Sequence, residues 1–106
     1  MTPVRTMPAS DTIVAAATPA GRSALALVRV DGPLAPAIAQ AALQRRTPLD
    51  ERISTLGLWR DQAGEPIDQV VAVRWVAGRS FTGNDSLEVA CHGNPLLVRR
   101  LTEDCL

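Results

Sequence analysis

The sequence predicts an α+β fold in which helices pack on one face of a mixed β-sheet. Three observations support this class. The chain has 106 residues, of which 46% are hydrophobic, and this suits one small domain with a single core. Segments with the two-residue apolar period of strands are interspersed with two segments that have helical spacing. Their order, one strand followed by strand–helix, strand–strand and strand–helix units, is that of an α+β sheet.

The first predicted elements lie before residue 31. Residues 1–10 mix Pro, Thr and Ser without periodicity and are predicted to be a disordered lead-in. Residues 11–18 carry β-branched residues followed by alanines, which predicts a short strand. The Pro and Gly in residues 19–23 predict a loop. Residues 24–30 are apolar almost throughout, and we therefore predict a central strand that is covered on both faces.

A helix is predicted after this strand. Residues 31–33 end the strand and can begin a helix. The residues with helical spacing are Leu34, Ile38, Ala41 and Ala42. Pro36 fits such a helix only in its first turn, because later turns need the backbone N–H that proline lacks. Residues 44–51 are charged and contain a proline, and they are predicted to form a connecting loop.

Residues 53–59 and 67–76 are predicted to pair as an antiparallel hairpin. The turn between them, residues 60–66, contains both Gly and Pro. Each strand contains one tryptophan, Trp59 in the first and Trp75 in the second. We interpret both tryptophans as packing anchors of the hairpin rather than as a pair that stacks on a ligand.

Residues 79–95 combine a turn, a strand and a helix start, with ionisable groups at each junction. The turn falls at residues 83–85, where Gly, Asn and Asp are favourable. One face of the following strand carries Leu87, Val89 and Cys91, and the other carries Glu88, Ala90 and His92. Asn94 is the predicted N-cap and Pro95 the first residue of a helix that extends to Leu106.

Composition argues against several kinds of partner. The 11 basic and 11 acidic residues give a formal net charge of zero, so the chain has no global field to hold nucleic acid by itself. Every basic residue is Arg, which excludes a lysine nucleophile. The two cysteines have no CxxC spacing and there is one His, so a disulfide framework or a metal site is not expected. No targeting or membrane-spanning segment is visible, and a cytoplasmic location is predicted.

Glu88, Arg29 and His92 are the candidate functional residues. The sequence has no nucleophile elbow, P-loop or GxGxxG motif, which favours binding over catalysis. Glu88 could accept two parallel N–H bonds from an aminopyrimidine-like or guanidine-like edge, and Arg29 could contact a carboxylate or carbonyl of the same ligand. Two alternatives remain open: Glu88 as a solvated acid on an edge strand, and Arg29 as a side chain that reaches solvent. A hydrolase that uses His92 with Glu88 and a serine is less favoured.

Three segments in register resemble the N-terminal domain of bacterial tRNA modification GTPases of the MnmE, or TrmE, family. They are residues 11–22 with 27–32, residues 64–68, and residues 80–88 with 91–93. The resemblance implies one domain over residues 11–106, with a fold like the folate-binding domain of glycine-cleavage T proteins. The family's remaining folate contacts lie beyond Leu106, so the domain is expected to be truncated at its C-terminal end.

The resemblance also implies a function. The domain is expected to bind 5-formyl-tetrahydrofolate or a related one-carbon folate and to form a homodimer. The Arg and Glu that contact folate in the family correspond to Arg29 and Glu88. The complete family member modifies the wobble uridine of tRNA with aminomethyl-type groups and works with the flavin-carrying protein MnmG. It uses GTP, magnesium and potassium in a domain that this sequence lacks, so the chain is not expected to be catalytic alone.

Some positions depart from the family pattern. Asn84 stands where an acid is usual, Asn94 stands where a glycine is usual, and residues 23–26 replace a Gly-rich continuation. These changes predict an altered loop geometry around the site. The alternative function is therefore an interaction or dimerisation module whose folate site is degenerate.

Overall fold

The computed structural model describes residues 12–17, 24–76 and 83–105. The elements in these residues are β1 (Ile13–Ala16), β2 (Leu25–Asp31), α1 (Ala35–Ala42), β3 (Thr55–Arg60), β4 (Pro66–Trp75), β5 (Ser86–His92) and α2 (Pro95–Asp104). Their order confirms the α+β class and the predicted succession of strands and helices. The predicted lead-in at 1–10, the loop at 19–23 and the stretch 77–82 lie outside the described residues.

The five strands form one sheet in the order β1-β2-β5-β4-β3. All four neighbouring pairs are antiparallel, and the predicted β3–β4 hairpin is confirmed. Parallel pairing occurs in an isolated bridge between Glu51 and Arg74. The order places β5 in the middle of the sheet, directly beside β2, although 54 residues separate the end of one from the start of the other in the sequence. The interpretation of Glu88 as an acid on an edge strand is therefore wrong.

Both helices pack on one face of the sheet, as predicted. The buried side chains of this face and its helices form one core cluster: Ala26, Val28, Val30, Ala35, Ala39, Ala42, Leu49, Trp59, Ile67, Val70, Ala72, Leu87, Val89, Cys91 and Leu101. Helix α1 contributes three alanines to this cluster, Ala35, Ala39 and Ala42. The predicted apolar side of α1 is confirmed in part: Ala42 is buried and Ile38 packs partly buried against the core, whereas Leu34 and Ala41 are exposed.

The opposite face of the sheet, which we call the open face, is not covered by a helix of the described residues. Its side chains include Ile13, Ala15, Leu25, Leu27, Arg29, Leu56, Leu58, Val71, Val73, Trp75, Glu88, Ala90 and His92. Leu25 is 61% exposed, so the prediction that residues 24–30 are covered on both faces is wrong. The physical reason is that both helices lie on the same side, and this leaves an apolar run of β2 with one uncovered side.

Helix α2 begins and ends with specific contacts. Asn94 is its N-cap, as predicted, and the Asn94 side chain accepts a 2.9 Å hydrogen bond from the backbone N–H of Leu96. At the other end, the Asp104 carboxylate accepts bonds from the Trp59 indole N–H at 3.1 Å and from the backbone N–H of Gln62 at 3.0 Å. Cys105 is the C-cap rather than a helical residue. Neither helix in the described part of the chain is long and apolar enough to cross a bilayer.

Candidate functional site

An ion pair lies near the middle of the open face. Arg29 of β2 and Glu88 of β5 are directly opposite each other in the antiparallel register. The Glu88 Oε2 atom accepts hydrogen bonds from Arg29 Nη2 at 2.6 Å and from Arg29 Nε at 3.2 Å. The Arg29 side chain is 35% exposed and that of Glu88 is 25% exposed. The two residues chosen from the sequence are thus in contact, and the guanidinium of Arg29 meets a carboxylate instead of only solvent.

Trp75 is a third member of this cluster, and the sequence interpretation missed it. Its indole N–H donates a 3.2 Å hydrogen bond to Glu88 Oε1. Trp59 is fully buried at 0% exposure, which confirms its role as a packing anchor, whereas Trp75 is only half-buried and lies on the open face. The alternation of β4 could have indicated this difference, since Trp75 shares the parity of the exposed Val71.

The Glu88 carboxylate has little acceptor capacity left in this arrangement. A carboxylate offers about four lone-pair positions on its two oxygens. Arg29 uses two on Oε2 and Trp75 uses one on Oε1. One position on Oε1 therefore remains for another donor. Of the two bonds to Oε2, the one from Arg29 Nε at 3.2 Å is the weaker, because charge-assisted hydrogen bonds are normally shorter than this.

A second polar contact joins the turn at residues 83–85 to the end of β2. The Asn84 side-chain amide donates a 2.9 Å bond to the buried carboxylate of Asp31, and the backbone N–H of Gly32 donates to the Asp85 carbonyl at 2.8 Å. An ionised acid at residue 84 could not donate this bond, because a carboxylate only accepts. Asn84 therefore supplies a hydrogen-bond donor that the acid expected from the resemblance would lack.

His92 lies at the other end of β5, separate from the ion pair. Four residues along the strand place it roughly 13 Å from Glu88. Its side chain is 64% exposed, and its Nδ1 atom is 2.8 Å from the carboxylate of Asp68. Asp68 also accepts a 2.8 Å bond from the backbone N–H of His92. The structure thus gives His92 a contact with β4 just before α2, and it does not place the imidazole against Glu88.

The cavity beside the helices offers less chemistry. A volume of about 410 Å³ lies between α1, the turn after β3 and the end of α2. The Asp104 carboxylate at its edge is already bonded to Trp59 and Gln62. In the described residues, no three His, Cys, Asp or Glu side chains are grouped in a way that could hold a metal ion. The cluster on the open face is therefore the better candidate site.

Both thiols are expected to alkylate slowly in the folded protein at neutral pH. Burial raises the pKa of the Cys91 thiol, and the nearby Asp68 adds to this effect. Burial, with a smaller contribution from Asp104, raises the pKa of Cys105 to about 12. The thiolate is the form that reacts with an alkylating agent, and a raised pKa means that few of these thiols are ionised at neutral pH. Mass spectrometry after iodoacetamide treatment, with and without urea, measures this; fast labelling without urea would contradict it.

The raised thiol pKa also sets the sign of a pH effect on stability. The folded state keeps the proton of Cys105 where the unfolded chain begins to lose it, at its ordinary pKa of 9.0. The unfolded state therefore binds fewer protons, and the free energy of unfolding decreases as the pH rises from 9.0 towards about 12. Below pH 9.0 Cys105 is protonated in both states, so its contribution to the free energy of unfolding is fully present there.

Comparison with known proteins shows similarity over most of the chain. The family model described as the N-terminus of the GTP-binding protein TrmE matches residues 12–106. The tRNA modification GTPase MnmE of Opitutus terrae is 48% identical over 97 residues, which are 92% of this chain and 21% of that protein. The protein of the same name from Thermotoga maritima is 43% identical over 93 residues, 88% of this chain and 20% of that protein. That of Aeromonas hydrophila is 41% identical over 98 residues, 89% of this chain and 21% of that protein. The chain spans about a fifth of the length of the curated relatives it matches.

Proposed function

The chain belongs to the family of TrmE N-terminal domains, and on this premise we propose that it is the folate-binding and dimerising domain of a tRNA modification GTPase. The proposed ligand is 5-formyl-tetrahydrofolate or a related folate, which carries a one-carbon unit. The observation that carries the proposal is the Glu88 carboxylate, held between Arg29 and Trp75 on the open face.

The donor pattern of a pterin suits this carboxylate. The aminopyrimidine edge of a pterin presents two adjacent N–H donors, and a carboxylate can accept both at once. One of them can use the remaining position on Glu88 Oε1. The other can replace the 3.2 Å bond from Arg29 Nε to Oε2, while the 2.6 Å bond from Nη2 stays. The released Arg29 N–H can then donate to a carbonyl or carboxylate of the same ligand.

The surroundings of the pair also suit a flat ligand. Val73 lies opposite Glu88 in the β4–β5 register, and Ala15 lies opposite Arg29 in the β1–β2 register. In the next cross-strand row, Leu27 faces Ala90. These apolar side chains lower the local dielectric constant, which strengthens charge-assisted hydrogen bonds, and they offer surface that aromatic rings can bury.

The rest of the proposed function belongs to the complete protein. The relatives are named tRNA modification GTPase, and we extend this activity to the protein of which this domain is a part. GTP, magnesium and potassium would bind outside these 106 residues, which contain no P-loop sequence. Modification of the tRNA wobble uridine together with flavin-carrying MnmG, in the cytoplasm, would be carried out by the full assembly.

A calorimetric titration tests folate binding by the wild-type chain. We expect 5-formyl-tetrahydrofolate to bind, and p-aminobenzoylglutamate, which lacks the pterin, to give no measurable binding, because only the pterin has paired donors for Glu88. The second compound controls for a general attraction of Arg29 to carboxylates. Failure of 5-formyl-tetrahydrofolate to bind at the highest soluble concentration would refute the proposal, as would equal binding of both compounds.

A second candidate is an interaction module whose folate site is degenerate. It is favoured by the exposed leucines of the open face, Leu25 and Leu56, and by the ion pair that Arg29 and Glu88 already form without a ligand. Sedimentation across a range of protein concentrations, with and without folate, separates the two candidates. A concentration-dependent dimer that binds no folate supports this second function, whereas a monomer at high concentration contradicts dimerisation through this chain alone.

A further inference from the structure

We propose that Trp75 is a positioning residue of the open-face site, whose indole N–H fixes the orientation of the Glu88 carboxylate that receives the ligand. This inference rests on the proposed folate binding. It adds a residue that neither the periodicity of the sequence nor the resemblance assigned to the site. Trp75 acts through Glu88 and is not itself required to contact the ligand.

The register of the sheet explains why Trp75 reaches Glu88. In the β4–β5 pair, Trp75 lies opposite Ser86, and Val73 lies opposite Glu88. Trp75 and Glu88 are therefore diagonal neighbours on the same face, at a separation that a large aromatic side chain can span. The hydrogen bond of 3.2 Å from Nε1 to Oε1 is the result.

The two residues that hold Glu88 differ in their freedom. Arg29 has a long side chain with five N–H donors, so it can give up one bond and turn another donor towards a ligand. Trp75 has two rotatable side-chain bonds and one donor, and the indole cannot accept a hydrogen bond. When a ligand displaces the Arg29 Nε bond, the indole therefore remains as the fixed donor on Oε1. The carboxylate then keeps its orientation while Oε2 exchanges the Arg29 Nε donor for a donor of the ligand.

Trp59 provides a matched comparison within the chain. Its indole N–H also donates to a carboxylate, but the acceptor is Asp104 at the end of α2, on the helix side of the sheet. Substitution of either tryptophan by Phe removes one indole N–H and keeps an aromatic ring. Only Trp75 is bonded to the candidate site, so a general effect of losing an indole can be distinguished from the positioning effect.

The test is the affinity of Trp75→Phe for 5-formyl-tetrahydrofolate, measured by calorimetry at a temperature where the variant is folded. We expect binding roughly tenfold weaker than that of the wild type, because one hydrogen bond to a charged group is lost. Folded Trp59→Phe is expected to bind as the wild type does. Binding by Trp75→Phe that equals wild-type binding overturns the inference while leaving the proposed function intact. Absence of binding by the wild type overturns both.

A spectroscopic measurement separates positioning from a merely structural role. The chain has two tryptophans, so a ¹⁵N-labelled sample gives two indole N–H signals, which Trp75→Phe assigns. We expect Glu88→Gln to shift the Trp75 signal and to leave the Trp59 signal in place. Addition of 5-formyl-tetrahydrofolate should likewise move the Trp75 signal. A Trp75 signal that responds to neither change would overturn the inference.

Discussion

Glu88→Gln is expected to weaken the binding of 5-formyl-tetrahydrofolate by about a hundredfold, which corresponds to ~3 kcal/mol. Three N–H groups, two from Arg29 and one from Trp75, point at the carboxylate. A Gln amide has one acceptor oxygen and one NH₂ donor. In either orientation its NH₂ therefore points at an N–H of Arg29 or Trp75, and that N–H loses its acceptor. The negative charge that strengthens the bonds to the pterin is lost as well. Calorimetric titration of the variant measures the effect.

Glu103→Gln is the matched control for this substitution. Glu103 is exposed on α2 and pairs with Arg99 one helical turn away, at 3.2 Å. This variant makes the same chemical change away from the open face, and an exposed pair of this kind contributes little to stability. We expect folate affinity equal to that of the wild type. If Glu88→Gln bound folate as tightly as Glu103→Gln does, Glu88 would have to be removed from the proposed site.

Trp59→Ala is expected to lower the free energy of unfolding by about 3–5 kcal/mol, a large part of the total stability of a domain of this size. Trp59 is completely buried, and Ala would leave a cavity that its neighbours fill only in part. The substitution also removes the indole donor to Asp104. Urea denaturation followed by circular dichroism measures the loss. If Trp59→Ala is too unstable for a folded baseline, Trp59→Phe should show a smaller loss.

Trp75→Ala is the control for this prediction. Trp75 is only half-buried and its ring lies on the open face, so less apolar area returns to water and no enclosed cavity forms. We expect a loss of roughly 1–2 kcal/mol. Equal losses for the two tryptophans would contradict the assignment of Trp59 to the core and Trp75 to the surface.

Local patterns in the sequence predicted most of the secondary structure. The two-residue period of β5 correctly separated Leu87, Val89 and Cys91 from Glu88 and His92. The pair Asn94 and Pro95 correctly marked the start of α2, because the requirements of a helix N-terminus involve only neighbouring residues. Such features follow from interactions between residues close in the sequence, and a single sequence contains them.

Features that depend on distant pairing could not be derived in the same way. Arg29 and Glu88 are separated by 59 positions, and only the β2–β5 register makes them opposite neighbours. The bond from Trp75 depends on a second register, that of β4 with β5. The apolar run of β2 predicted burial on both faces, because hydrophobicity does not say on which side the helices lie. The sequence therefore supplied two members of the cluster and missed the third.

The contacts at the two ends of α2 have a consequence for local unfolding. Just before the helix, His92 is bonded to Asp68 of β4, and at its end Asp104 is bonded to Trp59 of β3 and to Gln62 of the following turn. All of these partners belong to the β3–β4 hairpin, but His92 is a residue of β5, so the contacts of Asp104 are the ones that join α2 itself to the hairpin. Local unfolding of the last turn of α2 therefore requires these bonds to break, and we expect its backbone amides to exchange more slowly than those of a helix end without such contacts.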